Sequence, residues 1–152
     1  MRYDHSLGLA IRFPSQMLQH VERLDDQSVS VDLLRSGIVR SGRLDLEAAL
    51  VLLPILGGIL FSTYEEHALV AIDALAELLR IFGQLIKNTR AAAQDMLGVD
   101  LSAEARLQRC QAAFEHFASS VPRLQALAAT GGSVGVAATA LLEHIGVYLD
   151  LR

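Results

Sequence analysis

The sequence is poor in the residues that build metal sites and cross-links. Its 152 residues contain a single cysteine, Cys110. One thiol can form neither an internal disulfide nor a cysteine-based zinc site, and an unpaired thiol is typical of a reducing compartment. Charged residues make up only 20% of the chain against 52% apolar residues. This composition excludes a disordered tail, which would be rich in charge and poor in apolar residues.

Positive charge is also scarce. Thirteen basic residues face seventeen acidic ones, so the net charge is −4 at pH 7, and every basic residue except Lys87 is an arginine. The lack of a strongly basic segment argues against nucleic-acid binding. A small basic cluster remains at Arg35, Arg40 and Arg43. It is interpreted as a solvated loop or, alternatively, as a contact for an acidic partner.

The chain has no clear membrane-spanning run and no secretory signal. Its longest uncharged apolar run, from Ala48 to Phe61, falls short of the ~20 residues that a span needs. A second uncharged stretch, from Leu124 to Leu142, is broken by two glycines. Both runs are interpreted as core helices. The first five residues include the charged Arg2 and Asp4 and lead into no apolar stretch, unlike a secretory signal.

Apolar residues recur every three or four positions along most of the chain, and no stretch alternates with a period of two. This pattern predicts an all-α fold of five to seven helices. The short paired helices expected near the start favour an armadillo-like or HEAT-like array over a uniform bundle. We expect residues 1–13 to form a lead-in segment and residues 14–152 to form one helical interaction domain.

Two kinds of local signal place and shape the helices. Asp45 is a suitable N-cap for a helix that runs to about Phe61, because its carboxylate can accept a hydrogen bond from a free N–H group. Pro54 inside that helix predicts a kink, since proline removes one intrahelical hydrogen bond. Pro122 is expected to bend or split a later helix for the same reason.

Further signals mark the ends of a long central helix over residues 63–95. Ser62 and Glu65 have the spacing of a capping box, in which each side chain binds the other's backbone N–H. Gly98 is expected to stop this helix, and Asp100 and Ser102 to cap the next. The last helix should follow the Gly131-Gly132 turn.

The central helix carries two adjacent apolar faces and only a narrow polar stripe. A helix of this kind is buried on two sides, either inside a stacked array or against another chain. We therefore expect Leu78, Ile81, Phe82 and Leu85, or the last helix, to contribute a groove for a partner.

No set of residues assembles a catalytic or metal site. Residues 131–135 match the Gly-x-Ser-x-Gly pattern of a nucleophile elbow, but that elbow needs a preceding strand, and helical sequence precedes it here. Three histidines each directly follow a glutamate, a spacing that cannot grip one metal ion on a helix. Cys110 lies on an apolar stripe and is predicted to be a buried structural residue. We expect no catalytic residue, metal or cofactor.

A series of short motifs resembles one known domain. In chain order they are Leu52-Leu53-Pro54, Ser62-Thr63-Tyr64-Glu65, Phe82-Gly83-Gln84-Leu85-Ile86 and Gly98-Val99-Asp100-Leu101-Ser102, followed by Cys110. Together they resemble the conserved C-terminal domain of the katanin regulatory subunit. The resemblance runs from about residue 15 to about residue 150. Within it Pro54, Ser62, Tyr64, Glu65, Gly98, Asp100, Ser102 and Cys110 are interpreted as structural motif residues.

The resemblance implies a non-catalytic, armadillo-like helical domain. Such a domain binds the N-terminal helical domain of the katanin catalytic subunit, an AAA ATPase that severs microtubules, and contacts microtubules and spindle-pole or minus-end proteins. It implies a cytoplasmic, cytoskeletal location. The family's regulatory subunit also has an N-terminal WD40 propeller, so we expect either an excised domain or a short form. The alternative is a stand-alone helical adaptor that homodimerises through its apolar helix face.

Overall fold

A computed structural model describes residues 44–92 and 101–150 of the chain. These residues form four α-helices and no strand: α1 (Leu46–Ile59), α2 (Glu65–Ala92), α3 (Leu101–Ala129) and α4 (Gly132–Leu149). The prediction of an all-α fold is confirmed. The two short helices expected before residue 40 and the boundary at residue 13 lie outside the described residues, as do Arg35, Arg40, Arg43, Gly98 and Asp100.

Helix α1 begins as its sequence predicts. Asp45 adopts an extended backbone conformation, and its Oδ1 accepts a hydrogen bond from the N–H of Ala48 at 2.7 Å. Glu47 adds a second carboxylate in the first turn, where the partial positive charge of the helix terminus favours it. The start of α1 is therefore determined by neighbouring residues.

The start of α2 differs from the predicted capping box. The helix begins at Glu65, two residues later than expected. Ser62 Oγ accepts a hydrogen bond from the N–H of Tyr64 at 3.1 Å and lies 3.4 Å from His67 Nδ1. A serine that binds the backbone two residues ahead stabilises a turn, so Ser62 shapes the turn between α1 and α2 and does not cap α2 with Glu65.

The two prolines lie inside continuous helices. Pro54 is within α1 and Pro122 is within α3, so Pro122 does not split its helix, which was one of the two effects expected of it. Both residues are exposed. On an exposed side, the carbonyl that loses its intrahelical partner can bind water, which makes the proline tolerable there.

Helices α1 and α3 run parallel and side by side. A Cβ atom built on Gly57 would lie 3.9 Å from Ser120 Oγ, and three residues further along each helix Arg123 Nε donates to the carbonyl of Leu60 at 2.9 Å. From the first contact to the second, the residue number rises by three in both helices. The two helices therefore run in the same direction.

Helices α2 and α4 form a second parallel pair. Near their first residues, a Cβ on Gly132 would lie 4.0 Å from Glu65 Oε1. Further along both helices, a Cβ on Gly83, about two-thirds of the way along α2, would lie 3.1 Å from Cγ of Tyr148 in the last turn of α4. The glycine at position 83 thus permits the close approach of the Tyr148 ring.

The four helices are arranged as two stacked hairpins. Helix α1 packs against α2 and α3, helix α4 packs against the same two, and α2 and α3 also touch, whereas α1 and α4 have few or no contacts. One hairpin is α1–α2 and the other is α3–α4. Helices α1 and α3 form one layer, and α2 and α4 form the other.

One continuous apolar core joins the two layers. Each helix contributes buried side chains, and the largest that are almost fully buried include Leu52, Leu56, Leu75, Phe117 and Leu141. Cys110 is completely buried and free, as the sequence predicts. Burial of this much apolar surface is the main favourable contribution to folding.

Candidate partner-binding surface

The four residues proposed from sequence as a partner groove are divided by the fold. Leu78 is 1% exposed and Phe82 is buried, and both belong to the core. Ile81 is half-buried, and only Leu85 is substantially exposed, at 40%. A charged substitution at Leu78 would therefore test folding, because it would bury an unpaired charge. Of the predicted groove, Ile81 and Leu85 remain available at the surface.

Ile81 and Leu85 also point away from α4. Successive residues of an α-helix are rotated by about 100°, so a side chain two positions from Gly83 lies on nearly the opposite side of α2. Gly83 faces Tyr148 of α4. The half-buried Ile81 and the exposed Leu85 of α2 therefore lie on a different surface from the outer side of α4.

Helix α4 exposes a second apolar surface. Val136, Ala140, Glu143 and Val147 recur at steps of four, three and four residues, and all four are exposed. We call this set the α4 outer face. Val136 and Val147 are 72% and 68% exposed, although valine is usually among the most buried residue types. The face is mostly apolar with one carboxylate, which suits contact with another protein.

Helix α4 is long and apolar enough to cross a membrane, judged by length and composition only. One third of it is buried inside the fold, against α2 and α3. A single helix of this kind is weak evidence for a span, because core helices pass the same test. It contains no lysine or arginine, the residues that anchor membrane helices at the interface.

Arg80 and Glu77 form an ion pair within α2. Arg80 donates hydrogen bonds from Nε and a terminal nitrogen to Glu77 Oε1, one turn earlier. The hydrogen bond that Arg80 donates to Glu77, together with the negative charge of Glu77, raises the pKa of Arg80 above the usual value. Such exposed pairs within one helix stabilise a protein only slightly.

A cavity of about 480 Å³ lies where the last turns of α2 and α4 meet α3. Lys87 and Arg90 from α2 line it beside Asp150, which follows α4. Arg90 is held in place, since its Nε donates to Gln111 Oε1 at 3.2 Å and its guanidinium carbon lies 3.4 Å from the centre of the Phe114 ring. The arginine thus serves to join α2 to α3.

The remaining motif residues have structural positions. Tyr64 is exposed in the turn between α1 and α2, with its ring centre 5.2 Å from that of His67. Ser102 lies in the first turn of α3. Ser133 lies in the first turn of α4, whose N-cap is Gly131. Residues of α3 precede this serine, so residues 131–135 do not have the strand–turn–helix geometry of a nucleophile elbow.

Within residues 44–92 and 101–150, no group of three or more histidine, cysteine, aspartate or glutamate side chains could hold a metal ion.

The sequence pattern indicated the last helix as a possible partner surface but did not single out Val136 and Val147. The signal that could have identified them is the near-absence of charge along an entire helix, which leaves too few polar residues to cover its solvent side.

Comparison with known proteins shows which family the chain is similar to. The family model of the con80 domain of katanin matches residues 13–145. A katanin p80 WD40 repeat-containing subunit B1 homologue from Arabidopsis thaliana is 32% identical over 117 residues, which are 77% of this chain and 14% of that protein.

Two further relatives give a similar result. A second Arabidopsis thaliana homologue is 36% identical over 91 residues, which cover 60% of this chain and 8% of that protein. The katanin p80 WD40 repeat-containing subunit B1 of Xenopus tropicalis is 31% identical over 114 residues, covering 75% of this chain and 17% of the relative. In each alignment the chain spans less than a fifth of its relative's length.

Proposed function

This chain belongs to the con80 domain family of katanin, and from that premise we propose that it is a non-catalytic regulatory domain of a microtubule-severing complex. In this proposal it binds the N-terminal helical domain of the katanin catalytic subunit, and the ATPase activity belongs to that partner. It then targets or stimulates severing of microtubules. Its location is cytoplasmic and cytoskeletal, on microtubules and at the spindle pole or centrosome.

The observation that carries the binding proposal is the α4 outer face. Val136 and Val147 expose apolar surface at both ends of a helix whose inner side is already buried against α2 and α3. Contiguous apolar surface is unfavourable in water and is commonly covered by a partner. A helical domain fits this face, since side chains at steps of three and four present a ridge for helix packing.

The architecture supports an extended array as part of the same proposal. Stacked helical hairpins with parallel neighbours in each layer are the arrangement of armadillo-like and HEAT-like proteins. We propose that residues 14–152 form one domain of five to seven helices in which α1–α4 are the later members, and that residues 1–13 lead into it. Arg35, Arg40 and Arg43 are proposed to contact acidic microtubules or another acidic partner.

Calorimetric titration of the 152-residue chain with the N-terminal domain of the katanin catalytic subunit tests this proposal. We expect one-to-one binding at micromolar affinity or better. Val147→Asp should weaken binding at least tenfold, because it places a charge in an apolar contact. Leu101→Asp is the matched control, since Leu101 is 75% exposed in the first turn of α3 and is not part of the α4 outer face.

The outcomes separate two alternatives. Equal loss of binding in both variants, or no loss in either, would show that the α4 outer face is not the interface. If a well-folded chain fails to bind and instead forms a tight symmetric dimer, the homodimeric adaptor is the better function. Circular dichroism of each variant reports whether the helices remain folded.

A further inference from the structure

A second surface lies on the other layer of the fold. A groove of about 280 Å³ runs between α1 and α3, near the end of α1. Pro54 and Phe61 lie on its α1 side, and His116 and Arg123 lie on its α3 side. It is separate from the α4 outer face, because α1 and α4 have few or no contacts with each other.

Arg123 is fixed in this groove with donors to spare. Its Nε donates to the carbonyl of Leu60 at 2.9 Å, and its guanidinium carbon lies 4.8 Å from the centre of the Phe61 ring. A guanidinium has five N–H donors in a rigid plane, and the Leu60 contact uses the one on Nε. A pre-positioned arginine loses little side-chain entropy when it binds a carboxylate.

The charge of the groove is opposite to that of the whole chain. Arg123 and His116 are its basic groups, and no acidic side chain lines it among the residues that the structure describes. Ser119 and Ser120 each donate a hydroxyl hydrogen bond to the carbonyl of His116, at 2.9 and 3.0 Å. The chain as a whole has a net charge of −4, so a local site without acidic groups is a distinctive feature.

Two glycines leave the floor of the groove open. A Cβ atom on Gly58 would meet nothing within 4 Å, and one on Gly57 would meet only Ser120 Oγ, at 3.9 Å. The packing of α1 against α3 therefore does not require glycine at either position. Their lack of side chains instead leaves the backbone of α1 accessible to an incoming chain.

We propose that the α1–α3 groove docks an acidic segment of a partner protein, with a glutamate or aspartate carboxylate bound by Arg123 beside His116. The aliphatic part of the segment packs on Pro54 and the exposed Phe61 ring, while Gly57 and Gly58 admit its backbone. Charge complementarity selects the carboxylate, and the fork of the guanidinium matches its two oxygens. This site is additional to the partner surface proposed on α4.

Fluorescence anisotropy with a labelled ten-residue peptide, containing four glutamates around a central leucine, tests the proposal on the full chain. We expect saturable binding that weakens as salt is added. Gly58→Leu should abolish it by filling the groove, and it should leave the fold intact because position 58 is open. Arg123→Gln should weaken binding at least tenfold, and Arg123→Lys should weaken it less. Gln108→Leu, on an exposed part of α3 outside the groove, is the control and should bind normally.

Several results would overturn this site. They are equal binding of a peptide with glutamine in place of glutamate, unchanged binding by Gly58→Leu, and no binding by the wild-type chain at millimolar peptide. If a phosphoserine peptide binds and the glutamate peptide does not, the group that Arg123 recognises is a phosphate and not a carboxylate. That result would contradict the proposal. In calorimetry, the same variants should bind the katanin catalytic subunit with the affinity of the wild-type chain. This result separates the α1–α3 groove from the α4 outer face.

Discussion

At the scale of single residues, glycines that look alike in the sequence have opposite environments. Gly58 faces open space, whereas a Cβ on Gly83 would press on the ring of Tyr148 at 3.1 Å. We expect Gly58→Ala to stabilise the domain by about 0.5–1 kcal/mol through helix propensity. Gly83→Ala should destabilise it by roughly 1–3 kcal/mol through overpacking. Urea denaturation measures both free energies of unfolding, and changes of the same sign would contradict this assignment.

The residue scale is also where sequence reasoning was least able to separate core from surface. Leu78 and Leu85 are the same residue type on one helix, yet Leu78 is buried in the core and Leu85 is substantially exposed. The difference arises because α2 is flanked by three helices, and their positions are set by residues far away in the sequence. Local periodicity shows that a face is apolar, but it does not show which neighbour covers it.

At the scale of the helix, the first turn of α1 depends on one carboxylate. Asp45→Ala should destabilise the domain by about 0.5–2 kcal/mol, because the N–H of Ala48 loses its partner. Asp45→Asn is the matched variant and should retain most of the stability, since its side-chain oxygen can accept the same hydrogen bond. Thermal unfolding of the two variants measures the difference. If both lose the same stability, the charge of Asp45 matters and the hydrogen bond does not.

The observed helices and their limits agree closely with the sequence-based predictions where a helix end is set by short-range signals. The start of α1 and the position of the last helix after the Gly131-Gly132 turn agree with prediction. Predictions failed where two local interactions compete, as at Ser62, which binds Tyr64 in a turn. The split expected at Pro122 is also absent, because this proline lies on an exposed side of α3, where water can bind the carbonyl that loses its partner.

At the scale of the whole molecule, the proposed function predicts a monomer in the absence of the catalytic subunit. Light scattering coupled to size-exclusion chromatography should give the mass of one chain for the wild type at micromolar concentration. Val147→Asp should elute with less aggregated protein than the wild type, because it removes apolar surface available for non-specific association. A stable two-chain mass that Val147→Asp reduces to one chain would instead support the homodimeric adaptor.

The all-α class, the family and the helix limits set by short-range signals follow from the order of the amino acids alone. These depend on the 3.6-residue period, on caps and on motif order, which are properties of neighbouring residues. The packing of the helices was needed to establish that Leu78 is core, that Val136 and Val147 face outwards, and that Arg123 meets Phe61 beside two open glycines. Those facts depend on the stacking of two hairpins, which brings together residues more than sixty positions apart, as in the hydrogen bond from Arg123 to Leu60. Burial is a property of that arrangement, since an apolar side chain is hidden only when another element packs over it.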